Sequence, residues 1–226
     1  MTTAAVQAAE IDHLVVAAAS LEQGVAWCEA TLGVAPGPGG KHANFGTHNR
    51  LLKIEGPGFA QAYLEIIALD PQAPPPTRPR WFGLDGAAMS ADLRERGPRL
   101  VHAVARTSSL DAHLAALVAA GLAVGEAIAA SRQGATGLLQ WRIVVRKDGA
   151  LLCGGALPTL IEWTGPHPTL SMADSAVRLK ALSLGGVPAA AEAALGLTGV
   201  RFVAQSAPAL RATFDTPRGA VTLESE

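Results

Sequence analysis

Leu100-Val-His-Ala-Val-Ala-Arg-Thr-Ser-Ser-Leu-Asp-Ala-His113 lies without a gap on Ile11-Asp-His-Leu-Val-Val-Ala-Ala-Ala-Ser-Leu-Glu-Gln-Gly24, matching His13 to His102, Val15 to Val104, Ser20 to Ser109 and Leu21 to Leu110. An internal repeat outranks any single motif as a fold signal, because it says that one supersecondary unit has been used twice. In each copy a short β-branched run predicts a strand. The serine that follows opens a helix. In the first copy Gln23 stands three residues after Ser20, a capping-box spacing, and the helix closes at Gly33; the second closes at Gly121.

Working outward, a Gly/Pro loop spans Pro36 to Gly40, and strands are expected over Asn49–Glu55 and Ala62–Leu69. Pro71 to Pro79 is extended, proline-rich and reads as a surface connection, followed by a weakly patterned helical stretch from Trp81 to Arg96. In the second copy strands are expected near Leu138–Arg146 and Pro158–Thr164. The remainder reads strand (Arg178–Leu184), helix (Pro188–Leu195), strand (Val200–Ala204) and a hairpin around Thr216–Gly219, an eroded third copy without the histidine. The division is therefore 11–70, a first βαβββ module; 71–99, a Pro-rich connection; 100–165, a second module; and 168–226, a partial third.

The 226 residues carry 18 Lys+Arg against 19 Asp+Glu, so no surplus of cations is present to grip nucleic acid or an anionic membrane. No apolar run is long enough to span a bilayer. Met1–Glu10 has no basic n-region and reads as a lead-in to the first strand rather than a signal peptide. Cys28 and Cys153 stand alone in apolar segments and read as buried small hydrophobes; a cytoplasmic address follows.

Strands alternate faces. On that rule Ile11, His13 and Val15 share one face and Leu100, His102 and Val104 its counterpart, so each histidine sits among apolar residues. Glu65 and Glu162 stand in equally apolar closing strands. A lone carboxylate there is costly unless paired or metal-bound. Two imidazoles and two carboxylates brought together would suit one divalent cation (Zn, Ni, Co, Mn or Fe).

His…Glu…His…Glu on the first and last strands of two βαβββ units resembles the vicinal-oxygen-chelate superfamily, over residues 11–164. Gly39-Gly-Lys-His-Ala-Asn-Phe-Gly-Thr-His-Asn-Arg50 followed by Tyr63-Leu-Glu-Ile-Ile-Ala-Leu-Asp-Pro71 resembles its glyoxalase-like domain branch. The resemblance implies an α+β fold of the glyoxalase/bleomycin-resistance/dioxygenase kind, with a cation held by His13, Glu65, His102 and Glu162 in a cleft between curved sheets. It implies a metal-dependent lyase or isomerase acting on a small oxo or hydroxy compound, with Glu162 or Glu65 as proton shuttle. Two other readings stand beside it: a non-haem Fe(II) extradiol-type dioxygenase using His13, His102 and Glu162, and a metal-free, resistance-type cup that only binds its ligand. The implied partner is a small molecule, with a homodimer left open.

Around this set, His42, Thr47, His48, Asn49 and Arg50 are candidate substrate contacts, with His42 or His48 also readable as a replacement ligand or as a water-facing loop residue. Trp141 and Trp163 are candidate pocket walls. Arg142 reads equally as a clamp for a substrate anion or as half of a surface ion pair. His113 and His167 read as solvent-exposed.

Overall fold

The computed structural model describes residues 7–134, 137–205 and 208–225; residues 1–6 of the expected lead-in lie outside them. The first unit runs β1 (Glu10–Ala17), α1 (Leu21–Leu32), β2 (Lys41–His42), β3 (Thr47–Lys53) and β4 (Tyr63–Leu69). The Ser20 hydroxyl accepts from the Gln23 backbone N–H at 3.2 Å and the Gln23 side chain accepts from the Ala19 N–H at 2.8 Å. Gly33 closes the helix at φ 75°, a left-handed turn that a side chain would resist. After a connection that carries α2 (Ala87–Glu95), the second unit runs β5 (Arg99–Arg106), α3 (Leu110–Ala119), β6 (Glu126–Gly134), β7 (Gly137–Val145) and β8 (Thr159–Thr164). The sequence pattern missed β2, a two-residue strand directly after the Gly/Pro loop, and β6, whose small and polar residues give little alternation.

In both units the first strand runs parallel to the last, β1 with β4 and β5 with β8, and the units join through the antiparallel pair β1–β5. One eight-stranded sheet results, ordered β2-β3-β4-β1-β5-β8-β7-β6. It curls until its far edges approach: a Cβ on Gly40, beside β2, would sit 2.8 Å from the Arg132 guanidinium on β6. The sheet is therefore a nearly closed cup, with one apolar layer outside it and another within.

The convex layer packs Leu14, Val16, Leu64, Ile66, Ala103 and Leu160 against the helices and against the last segment of the chain. That segment runs β9 (Arg178–Gly185), α4 (Ala189–Leu195), β10 (Val200–Val203), β11 (Leu210–Thr216) and β12 (Gly219–Glu224). Its element order is that of the other units, but its pairing differs: β9 is parallel to β10 and antiparallel to β11, in the order β10-β9-β11-β12. It thus departs from the repeat in connectivity as well as in lacking the histidine.

The concave layer is filled by Val15, Ala17, Ile67, Val104, Trp141 and Ile161, closed over by Trp81, Phe82, Leu84 and Leu93 from the connection. The prolines themselves stay at the surface, while Trp81 turns inward to stack on Phe45 at 3.9 Å.

One irregularity positions the site. The β1–β5 register skips Asp12 in one strand and Val101 in the other, the same position of the repeat. Each is a bulge, which leaves one residue unpaired and re-aims its neighbours. Ile11 consequently joins the convex core with Leu14, and Asp12 turns to the same side as His13. Strict alternation, which grouped Ile11 with His13 and set Asp12 opposite, fails here.

Candidate active site

Asp12 is wholly buried and accepts three N–H groups. Its Oδ1 meets His13 Nδ1 at 2.6 Å; its Oδ2 meets His167 Nε2 at 2.9 Å and Trp163 Nε1 at 2.9 Å. Burial works to raise its carboxyl, but the hydrogen bonds from His13 and His167 outweigh it and hold the group well below the usual carboxylate range. Asp12 is therefore an acceptor only, and both imidazoles must present it a hydrogen. His167 then accepts at Nδ1 from Thr169, at 2.8 Å from the hydroxyl and 3.3 Å from the backbone N–H. The expectation of an exposed His167 is corrected: it is 8% exposed and anchors Asp12. His113, also expected in solvent, is 1% exposed and meets the Thr107 hydroxyl at 3.0 Å.

With Nδ1 committed to Asp12, the His13 ring turns Nε2 toward Glu65 Oε2, 3.6 Å away. Tyr63 stacks on the ring at 4.6 Å, its own hydroxyl held neutral first by burial and then by the nearby charges of Asp12 and Glu65. Glu65 is 5% exposed and accepts from Asn49 Nδ2 at 2.5 Å. The amide cannot flip, because Asn49 Oδ1 accepts from the Gly40 N–H at 2.7 Å. The same Nδ2 lies 3.4 Å from His42 Nε2, and His42 Nδ1 meets the Thr47 hydroxyl at 3.1 Å. Burial pushes the His42 imidazole down to about 4, the Arg132 charge adding to it and the Glu65 charge opposing it, so it is neutral.

The second copy is built differently. The β5–β8 register puts Thr159 opposite Val104 as β1–β4 puts Glu65 opposite Val15, so the counterpart of Glu65 is Thr159, not Glu162. His102 Nε2 accordingly meets the Thr159 hydroxyl at 2.8 Å, and Nδ1 meets the Gly155 carbonyl at 2.8 Å. Both nitrogens are spent, and burial pushes this imidazole down to about 3. Glu162 lies on the convex side with Leu160. It accepts the Leu110 N–H at the start of α3 at 3.2 Å and pairs with Arg142 at 3.1 Å.

The expected quartet is thus divided: His13 and Glu65 meet, while His102 is sealed in a structural hydrogen-bond network and Glu162 caps a helix. The same division removes the two-histidine, one-glutamate set of a dioxygenase. A cation shared between Glu65 and His42 would have to displace the Asn49 amide, whose N–H group occupies that gap. Among the described residues no three His, Cys, Asp or Glu side chains form a metal-holding group. The donors present do not fit the implied metal.

Of the other candidates, His42, Asn49, Trp141 and Trp163 line a small cavity at the bottom of the cup together with His13 and Glu65, and Thr47 supports His42. His48 and Arg50 fall on the outward face of β3, and Arg142 pairs with Asp111 at 2.5 Å on the outside. The sequence reading missed Asp12, Tyr63, His167, Trp81 and Arg132. The signal available was Asp12-His13 itself, a charged residue beside a histidine in an apolar strand. The cavity measures about 20 Å³, room for roughly one water. The indole N–H of Trp81, which lines it, is buried with no hydrogen-bond partner among the described residues.

Residues 11–214 match the family described as glyoxalase-like domain. A hypothetical protein from Staphylococcus aureus shares the fold at 12% identity, with a TM-score of 0.58 over 96% of this chain and 85% of that one. Methylmalonyl-CoA epimerase from Mycobacterium tuberculosis aligns at 21% identity with a TM-score of 0.41, over 76% of this chain and 97% of its own. The Streptomyces coelicolor enzyme of the same name aligns at 22% and 0.42, over 70% and 100%. No curated protein matches the chain. No helix among the described residues is long and apolar enough to cross a membrane.

Proposed function

The chain belongs to the glyoxalase-like domain family, and on that premise we propose that it is a proton-transfer enzyme of the isomerase or lyase type, acting on a small carbonyl compound. The observation that carries this reading is the Asp12–His13–Glu65 relay at the floor of an aromatic cup. His13 Nε2 and Glu65 Oε2 are 3.6 Å apart, too far for a direct hydrogen bond yet close enough to serve one reacting atom. Two acceptors facing each other repel unless one bears a proton, so the pair holds one transferable proton. Asp12 fixes the ring and its tautomer, and Asn49 fixes the carboxylate.

In the forward direction one member of the pair takes a proton from the carbon beside the carbonyl. The C–H electron pair becomes the carbon–carbon π bond and the carbonyl π pair moves to oxygen. The unpartnered Trp81 N–H is a donor available to that oxygen. The other member then returns a proton to carbon, or a leaving group departs from the adjacent position. Trp141 and Trp163 keep the relay dry. No step is routed through a divalent metal, because the donors expected for it are engaged elsewhere.

The test is exchange of carbon-bound hydrogen in D₂O, followed by proton NMR, across short 2-oxo and 2-hydroxy acids. Exchange above the spontaneous rate should fall by about 100-fold or more in His13→Gln and in Glu65→Gln. No exchange with any member of the panel, or exchange undiminished in either variant, would overturn the proposal and leave a ligand-binding cup.

A further inference from the structure

At the rim of the cup a second cavity of about 440 Å³ runs between the 34–39 loop, β3, the β6–β7 hairpin at Arg132, Gln133 and Leu139, and the 168–175 segment. Its size suits an organic ligand. Its walls are mainly apolar, with Val34, Leu51, Leu139, Pro168 and Met172 among them, and it carries two cations, Lys53 and Arg132. Lys53 is already neutralised by Asp174 at 2.9 Å and Glu55 at 3.5 Å. Arg132 has no ion pair or hydrogen bond among the described residues. It also lines the small cavity that holds His13 and Glu65, so its side chain is the wall between groove and relay. A half-buried guanidinium with five unused donors beside an apolar channel is complementary to one ligand chemistry, a carboxylate with an apolar body.

We infer that this groove binds an amphipathic organic acid, its carboxylate on Arg132 and its hydrocarbon body along the apolar walls. Movement of the long Arg132 side chain joins the two cavities, so that the carbon next to the carboxylate reaches the His13–Glu65 pair. Only this last placement rests on the proton-transfer proposal; the binding itself does not.

The probes are octanoate, octylammonium, octanol and acetate, titrated against the intrinsic tryptophan fluorescence of the full chain. Octanoate should bind saturably and at least about tenfold more tightly than the other three, since acetate lacks the body and the others lack the anion. Arg132→Gln should weaken octanoate at least about tenfold while leaving octanol binding and the melting temperature unchanged, and Arg132→Lys should recover part of the loss. His13→Gln should bind octanoate as the parent does. Octylammonium binding as tightly as octanoate, or Arg132→Gln retaining full octanoate affinity, would overturn the inference. Exchange lost with binding intact would count against the relay alone; exchange independent of Arg132, with the groove empty, would count against the groove alone.

Discussion

Replacing Asp12 by Asn removes one charge and no volume, and the structure says what must follow. The carboxylate accepts three N–H groups, two of them on Oδ2 from His167 and Trp163. An amide has one acceptor oxygen, so it will stay on the side with two donors and turn its NH₂ toward His13. The two retained bonds then become neutral, each losing about 1 kcal/mol, and the third survives only if the His13 ring surrenders its Nδ1 hydrogen. Removing a buried charge relieves desolvation. In the parent, however, the hydrogen bonds already outweigh burial, because the carboxyl is held below its usual range. The net loss is about 2–4 kcal/mol, which in a chain of this size lowers the melting temperature by roughly 5–15 °C. Thermal unfolding followed by circular dichroism at pH 7 measures it. Carbon–hydrogen exchange should fall with it, since the His13 hydrogen moves to Nε2 and faces Glu65. A variant that melts within about 1 °C of the parent would refute the assignment of Asp12 as the anchor of the relay.

Three further outcomes follow. His42 and His102 titrate in the folded state near 4 and 3 against 6.5 for a free histidine, so the unfolded chain binds more protons between those values. Their stabilisation is therefore complete above about pH 6.5 and is lost as pH falls, by roughly 2 kcal/mol each at pH 5; equal urea midpoints at pH 7 and pH 5 would contradict this. Glu162→Gln should cost under about 1 kcal/mol and leave exchange intact, whereas Glu65→Gln abolishes exchange; loss of exchange in both would restore Glu162 to the site. Gly39→Ala places a Cβ 2.2 Å from both the backbone oxygen and the side-chain oxygen of Asn49, so it should destabilise by about 1–3 kcal/mol and slow exchange by displacing the amide that holds Glu65; a parental melting temperature would sink this.

The repeat made the architecture legible, because matching His13 to His102 and Ser20 to Ser109 carries strand and helix together. The same repeat misled at the closing strands. As carboxylates in the apolar closing strand of each copy, Glu65 and Glu162 read as equivalent, yet the hydrogen-bond register sets Thr159 in that place. A shift of this kind moves a side chain to the other face of a sheet, and only the pairing reveals it. Asp12 was hidden by a bulge, which alternation does not anticipate. His167 and Arg132 belong to the site through contacts that no local pattern encodes. His13, His42, Asn49 and Glu65 were visible because polar residues inside apolar strands need a reason to be there.

The measurement that reaches the central claim most directly is the nitrogen-15 spectrum of the His13 ring at neutral pH, assigned by its absence in His13→Gln. The account predicts a hydrogen fixed on Nδ1 by Asp12, shifting to Nε2 in Asp12→Asn. A parent protein with bare Nδ1 and its single hydrogen on Nε2 would contradict the relay and, with it, the proton-transfer function.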